Sequence, residues 1–259
     1  MVSFGSYKNI NVTIENFIAT VEMDNGELNF FDLETLSFLA DCFADLDKED
    51  DCRVLLLTST GKAFSAGADF KGGGAGLDNS SRARLYEEAV RLFSNRKPII
   101  AVVNGAAVGG GLGLALVSDF RVGCPQSRFS ANFTRLGIHP GFGLSYTLPR
   151  LVGRQNANEM FFTGRRVKGA EAKEMGLLDR LVPPEELLSE ARAFAREIAV
   201  SAPLAVMSIR ETMRAGLPAA IESSTNRELS EQDWLFNTED ISEGVAAMGE
   251  RREPGFSGK

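Results

Sequence analysis

Apolar residues follow two alternating periods through the first half of the chain. The runs at 54–57 and 99–103 are continuously apolar and rich in valine, leucine and isoleucine, as in strands buried on both faces. After residue 32, apolar residues instead recur every three or four positions, which gives a helix one apolar face behind a predicted N-cap at Asp32. That face consists of Leu33, Leu36, Ala40, Phe43 and Leu46. The pattern predicts strands that alternate with amphipathic helices.

The predicted elements divide the chain into two parts. Strands are predicted at 11–15, 17–23, 53–59, 99–103, 120–123 and 128–131, with a glycine-rich loop at 61–76 and a second amphipathic helix that ends before Pro98. From residue 154 onward the sequence is mostly helical, with predicted helices at 155–163, 170–175, 185–199, 204–215 and 219–236. We therefore predict an α/β core over residues 1–183, followed by a helical layer over residues 184–259.

A stretch without charged residues, 98–118, is long enough to span a membrane. Asn104 and five glycines interrupt it, and it opens with a short β-branched run. This composition favours a strand, a glycine turn and a buried helix over a membrane span.

Composition and charge narrow the classes of function. Hydrophobic residues make up 44% and charged residues 24% of the 259 residues, which is typical of a globular protein. The net charge of −7 argues against binding to a nucleic-acid backbone, so a phosphorylated ligand would need a local basic cluster. Cys42, Cys52 and Cys124 show no metal-ligand spacing, and the N-terminal residues lack a leader pattern. We expect a cytoplasmic protein without a bound metal.

Four glycines, Gly109, Gly110, Gly111 and Gly113, follow the strand predicted at 99–103. A dinucleotide fingerprint would need a further glycine where Leu114 or Ala115 stands, and no Lys followed by Ser or Thr completes a phosphate loop. Glycine at the start of a helix costs roughly 1 kcal/mol per residue relative to alanine. The glycines therefore either permit close packing or expose bare backbone for a ligand.

Taken together with residues 62–69, this glycine segment resembles the crotonase, or enoyl-CoA hydratase/isomerase, family. The motifs are Ala66-Gly67-Ala68-Asp69 and Gly109-Gly110-Gly111, and further similar stretches extend over nearly the whole chain. The resemblance implies an oxyanion hole formed by the backbone N–H groups of Ala68 and Gly110. Such donors stabilise the negative charge that develops on a thioester oxygen by some 3–4 kcal/mol each.

The resemblance also implies a fold and a ligand. The fold would be a ββα spiral with a C-terminal helical layer, assembled as trimers or pairs of trimers through a surface for which Trp234, Leu235 and Phe236 are candidates. Burial in the core of one subunit would explain these three residues equally well. Coenzyme A would enter as part of the substrate, and no cofactor would be bound permanently. The implied CoA-binding residues are Lys62, Ala66, Asp69, Lys71, Arg251 and Arg252. Ordinary surface charge is the alternative interpretation of the basic residues, and Asp69 suits a structural role in its loop.

The chain departs from the family at both positions where hydratases carry a catalytic glutamate. These positions are Gly113 and Phe133, and neither residue can transfer a proton. A positioned acid or base contributes on the order of 10²–10⁴ in rate, so ordinary hydratase activity is doubtful. The aromatic ring of Phe133 and the small Gly113 indicate an apolar acyl pocket.

Substitute catalytic groups would have to come from elsewhere in the chain. Tyr86, on a helix that flanks the acyl site in the family, is the leading candidate, and a turn predicted at 137–146 offers His139, the single histidine, together with Ser145 and Tyr146. Packing within the turn is the alternative interpretation of His139. Glu87 and Glu88 on the same helix are better explained as a solvated face. Two hypotheses remain: an acyl-CoA enzyme with altered catalytic groups, and a non-catalytic acyl-CoA carrier or regulatory subunit.

Overall fold

The computed structural model describes residues 2–68 and 79–259, which contain both strands and helices. The strands are β1 (Val2–Ser3), β2 (Ile10–Glu15), β3 (Ile18–Met23), β4 (Phe30–Phe31), β5 (Val54–Ser59), β6 (Ala63–Ser65), β7 (Gly67–Ala68), β8 (Ile99–Val103), β9 (Ala106–Val108), β10 (Phe120–Gly123), β11 (Arg128–Ser130), β12 (Val167–Lys168) and β13 (Arg180–Leu181). The helices are α1 (Leu33–Leu46), α2 (Asn79–Phe93), α3 (Gly110–Ala115), α4 (Leu144–Val152), α5 (Arg154–Thr163), α6 (Gly169–Glu174), α7 (Leu187–Ala199), α8 (Pro203–Met213), α9 (Leu217–Leu235) and α10 (Glu239–Glu250). Short 3₁₀ helices lie at Asn132–Leu136 and Pro184–Glu186.

The large sheet has seven strands in the order β1-β2-β3-β5-β8-β10-β13. Strands β1, β2 and β3 pair antiparallel, and the pairs from β3 to β13 are parallel. A smaller sheet has the order β12-β11-β9-β6, and β4 pairs with β7. The antiparallel β2–β3 pair agrees with the predicted hairpin.

Successive turns of the chain repeat one pattern. Strands β3, β5, β8 and β10 lie side by side in the large sheet, and each is followed by a short strand outside it, namely β4, β6, β9 and β11. Helices α1, α2 and α3 complete the first three turns. The predicted ββα spiral with helices at its C-terminal end is confirmed.

Apolar side chains cover both faces of the large sheet. In β5, Leu55 and Leu57 belong to the main core with α1, α2 and α3, whereas Val54 and Leu56 pack with α7 on the opposite face. Burial on both faces explains why the first four residues of β5 and all residues of β8 are apolar. Helix α1 begins as predicted, because the Asp32 side chain accepts a hydrogen bond from the Thr35 N–H at 2.8 Å.

Some predicted elements differ from the observed ones. The predicted loop at 61–76 contains β6 and β7, and its residues after Ala68 lie outside the described part of the chain. Strands of two or three residues are too short to show a period in the sequence. Helix α4 begins at Leu144 inside the stretch predicted as a turn.

The charge-free stretch at 98–118 forms β8, β9 and α3, in agreement with the strand, turn and buried helix predicted for it. Over residues 2–68 and 79–259, no helix has the length and apolar character needed to cross a membrane.

Candidate active site

The backbones of two successive spiral turns meet beside Ala68 and Gly110. Strand β6 pairs with β9, which aligns the chain that leads to Ala68 with the chain that leads to Gly110. Gly67 has φ +89°, and a Cβ atom added there would lie 2.8 Å from the Val108 carbonyl oxygen and 3.2 Å from the Gly110 nitrogen. Both the positive φ and the close approach require glycine at position 67.

Close packing accounts for part of the glycine run. A Cβ atom on Gly110 would lie 2.7 Å from Cζ of Phe31, and one on Gly111 would overlap the Ser65 carbonyl group. Gly113 is buried and its missing Cβ faces the Phe142 side chain. Both interpretations of the glycine run therefore apply. Gly110, Gly111 and Gly113 permit close packing, and Gly110 also borders a cavity.

A cavity of about 470 Å³ lies against these turns. The residues predicted to form the site that line it are Ala66, Ala68, Tyr86, Gly110, Phe133 and Arg251. Apolar side chains make up most of the remaining wall, including Leu28, Phe30, Phe31, Leu85, Leu136, Ile138, Phe142, Phe236, Val245 and Met248. Among the described residues of the wall, the charged ones are Arg82 and Arg251, and none carries a carboxylate.

Aromatic rings occupy the space at both positions where the resemblance implies a glutamate: Phe133 stands at one position, and the ring of Phe142 lies against Gly113 at the other. Phe133 is 7% exposed and lines the cavity. At Gly113, an added Cβ atom would lie 2.7 Å from the Cβ and Cδ1 atoms of Phe142. The ring of Phe142 therefore fills the space that a longer side chain at position 113 would enter.

Phe142 has an unusual backbone conformation for a bulky residue. Its φ is +65°, in the left-handed region that favours glycine. Its ring lies 5.7 Å from the ring of Phe31, centroid to centroid. Such strain persists where the surroundings fix the conformation, and it is often found in functional sites.

Tyr86 extends from α2 into the cavity wall. Its hydroxyl group donates a hydrogen bond to Oε1 of Gln232 at 2.9 Å, and Nε2 of Gln232 donates to the His139 carbonyl oxygen at 2.8 Å. A Cβ atom on Gly141 would overlap the Tyr86 hydroxyl oxygen, so a residue with a side chain at 141 would displace the phenol. Burial, and then the nearby Glu228 carboxylate, raise the pKa of Tyr86 far above its ordinary value. The phenol therefore stays protonated and acts as a donor.

Glu228 lies on α9, one helical turn before Gln232, and is fully buried. Its carboxylate accepts hydrogen bonds from the N–H groups of Gly143 (2.8 Å) and Ser145 (2.9 Å) and from the Ser145 hydroxyl group (2.6 Å). Burial raises the pKa of Glu228 to about 7, against the effect of these hydrogen bonds. The carboxylate fixes the turn that carries Gly141 and Phe142.

Phe142, Glu228 and Gln232 were not predicted from the sequence. For Glu228 and Gln232, the available signal was two polar residues four positions apart on a helix, which share one face. That spacing is common on solvated helices, so it does not single out a buried pair. For Phe142, the backbone conformation leaves no signal in the sequence.

His139 and Tyr86 line different depressions of the protein. It lines a second, more open depression of about 1060 Å³, together with Ser145, Arg150, Phe162 and others. Its Nδ1 atom is 2.9 Å from the Pro140 carbonyl oxygen. The structure does not bring the His139 side chain into the wall of the first cavity.

The predicted CoA-binding residues do not all line the cavity. Ala66 and Arg251 line the cavity. Lys62 instead forms an ion pair with Glu27 at 2.9 Å, and Arg252 forms ion pairs with Glu243 and Glu250. Asp69 and Lys71 lie outside the described residues.

The described residues include no group of three or more His, Cys, Asp or Glu side chains arranged to hold a metal ion. Cys42, Cys52 and Cys124 are buried free thiols.

Comparisons with known proteins agree with the fold and with the family resemblance. The model of the enoyl-CoA hydratase/isomerase family matches residues 13–259, so the chain belongs to that family, whose members act on CoA thioesters. The chain is 33% identical to a carnitinyl-CoA dehydratase from Salmonella arizonae, over 97% of this chain and 99% of that protein.

Two solved structures illustrate the likeness of the fold. An enoyl-CoA hydratase/isomerase from Pseudoalteromonas atlantica is 29% identical and has a TM-score of 0.84, with 96% of this chain and 100% of that chain covered. An enoyl-CoA hydratase from Bacillus anthracis is 32% identical and has a TM-score of 0.77, with 97% of this chain and 100% of that chain covered.

Proposed function

We propose that this protein is an enzyme that binds an acyl-CoA thioester and stabilises negative charge on the thioester oxygen with the N–H groups of Ala68 and Gly110. The observation that carries the proposal is the close approach of the Gly67 backbone to the Gly110 nitrogen at the wall of an apolar cavity. Backbone donors fixed in a site that excludes water need little reorganisation as charge develops.

Tyr86 supplies a hydrogen-bond donor in this proposal. Its phenol is protonated at neutral pH because burial raises its pKa, so it can exchange its hydrogen bond to Gln232 for one to an enolate or oxyanion, and it does not remove a proton from the substrate.

Ordinary hydration of a simple enoyl thioester is slow in this proposal. The described wall offers no carboxylate to hold and deprotonate water, and the rings of Phe133 and Phe142 fill the space at the two glutamate positions. Loss of such acid–base groups costs on the order of 10²–10⁴ in rate for each.

The same two rings favour a second candidate function, a non-catalytic acyl-CoA carrier or regulatory subunit. Aromatic residues increase the apolar surface available to an acyl chain without adding any proton-transfer group. The two candidates differ in whether the bound thioester changes chemically.

Calorimetric titration with free CoA and a panel of acyl-CoA thioesters, followed by mass spectrometry of each mixture, tests the proposal. Binding together with a new product supports the enzyme, and binding with every thioester returned intact supports the carrier. Absence of binding to all members of the panel would overturn both.

The acyl group is not expected to be that of the curated relative. The carnitinyl group carries a fixed positive charge, whereas the described charges on this cavity wall are the guanidinium groups of Arg82 and Arg251. Like charges in a site of low dielectric repel one another strongly. We propose that this chain acts on a different acyl-CoA.

A further inference from the structure

Arg82 is a buried cation with unmet hydrogen-bonding capacity in the cavity wall. It lies on α2, one turn before Tyr86, and its side chain is 6% exposed. Its Nε and Nη1 atoms are buried and have no hydrogen-bond partner among the described residues. A buried arginine ordinarily has its five N–H donors paired, because the guanidinium group is always charged. The protein therefore holds a desolvated positive charge beside the cavity, and two of its nitrogen atoms have no hydrogen-bond partner among the described residues.

The contacts that Arg82 does make leave its donor edge unsatisfied. Its Nη2 atom lies 3.5 Å from Oδ1 of Asp233, a side chain that is 55% exposed to solvent. Its guanidinium carbon lies 4.2 Å from the centre of the Phe236 ring. An aromatic ring beneath the plane of a guanidinium group does not occupy the N–H groups at its edge, so they can pair with a carboxylate when this flexible side chain turns toward the cavity.

The surroundings of Arg82 increase its preference for an anion. The wall is mostly apolar, and its described residues include a second cation, Arg251, but no acidic side chain. Attraction between opposite charges is stronger in such a site than in water. Folding has already removed the guanidinium group from water, so a bound anion bears the cost of its own desolvation alone.

We propose that the acyl group of the substrate carries a second carboxylate, which the guanidinium group of Arg82 binds. The inference rests on the proposed function, because it places the acyl group of a CoA thioester in this cavity. It assigns to Arg82 the choice among acyl groups and defines the substrate class as the CoA thioesters of dicarboxylic acids.

Pairs of thioesters that match in chain length and differ at the far end test the proposal. Calorimetric titration compares adipoyl-CoA with hexanoyl-CoA, and glutaryl-CoA with pentanoyl-CoA. A charge-assisted hydrogen bond formed by desolvated groups predicts a preference of about tenfold or more for at least one dicarboxylic member over its partner. Gamma-butyrobetainyl-CoA, whose acyl group is cationic, should bind more weakly than any of these.

Two variants assign the preference to Arg82. Arg82→Met keeps an unbranched side chain of similar length, removes the charge and leaves Asp233 partly solvated. We expect it to lose the preference for the dicarboxylic thioester and to retain affinity for hexanoyl-CoA. Arg84→Met, on an exposed residue of the same helix, is the matched control and should keep the wild-type preference.

The outcomes distinguish this inference from the proposed function. If the wild-type protein binds every dicarboxylic thioester no more tightly than its monocarboxylic partner, the role of Arg82 is overturned. Binding of hexanoyl-CoA in the same experiment would still support the proposed function. An unchanged preference in Arg82→Met also overturns it. Failure of free CoA and of all thioesters to bind overturns the proposed function itself.

Discussion

Tyr86 carries the only side-chain hydroxyl group among the described residues of the cavity wall. Its hydrogen bond to Gln232 holds the phenol beside Gly141, at a place where no side chain competes for the space. The geometry thus places one hydroxyl hydrogen-bond donor in the wall of a mostly apolar cavity.

We expect Tyr86→Phe to reduce turnover of the substrate by about 10²–10⁴ while its affinity changes little, because the ring remains and the donor is lost. Steady-state kinetics and calorimetry on the same protein measure the two effects. Tyr146→Phe is the control, since Tyr146 stacks with Arg150 and is not part of the described cavity wall. Full turnover in Tyr86→Phe would remove the role assigned to the phenol.

At the scale of the element, helix α9 organises the turn that follows Pro140. Glu228 binds the backbone of Gly143 and Ser145, and Gln232 binds the carbonyl group of His139 and the phenol of Tyr86. Two polar residues on one face of the helix therefore fix the position of α2 relative to this turn. The hydrogen bonds of these two side chains are all made to residues that are distant in sequence.

Glu228 makes the stability of the protein depend on pH. Its pKa rises from the ordinary 4.5 to about 7 in the folded state, so between these values the folded protein holds a proton that the unfolded chain releases. The unfolding free energy must therefore fall as pH rises through this window, on the order of 1–3 kcal/mol in total. The pKa of Glu243 is instead lowered, to about 2, so that group affects stability below the window.

Urea denaturation of Glu228→Gln at a series of pH values checks this expectation. The variant should be less stable than the wild type overall, because an amide cannot accept all three hydrogen bonds, yet it should lack the fall between pH 4.5 and 7. Glu222→Gln, on an exposed residue of α9, should keep the wild-type slope. A wild-type slope in Glu228→Gln would assign the titration to another group.

The sequence predicted the elements whose pattern is local and long. Strands β5 and β8 are buried on both faces, so each contains a run of apolar residues that is visible in the sequence. Helix α1 has an apolar stripe and a capping aspartate, which mark its face and its first residue. Strands β6 and β7 are too short for such a signal, although they bring Ala68 to the cavity. The positions of Phe142 and Glu228 depend on contacts between residues that are distant in sequence, which no local pattern records.

At the scale of the whole molecule, large apolar side chains remain on the surface. Phe162 is 74% exposed, Leu204 79%, Met213 80% and Trp234 57%. Of the residues proposed from the sequence for a subunit interface, Phe236 lines the cavity and Leu235 borders the second depression with Phe162. Exposed apolar surface of this kind is typical of sites where proteins associate.

We expect the protein to sediment as a trimer or a pair of trimers, as the sequence analysis predicted. Phe162→Glu should shift the distribution toward the monomer, because association would bury the introduced charge. Leu188→Glu, which changes an apolar residue of α7 that is 40% exposed, is the control. Sedimentation velocity measures the wild-type protein and both variants, and a monomeric wild-type protein would contradict the prediction.

The cytoplasmic location also stays a prediction.

The contact between Gly113 and Phe142 limits the evolutionary routes open to this site. A glutamate gained at position 113 would collide with the Phe142 ring, and a small residue gained first at 142 would leave an empty space beside Gly113. Overpacking of this kind costs about 1–3 kcal/mol, and loss of a buried phenylalanine side chain costs about 3–5 kcal/mol. Either first step lowers the stability of the protein, so gain of a carboxylate at this position requires two substitutions that are favourable only together. The residue at position 113 is thus coupled to the residue at position 142, and neither can be replaced alone without a loss of stability.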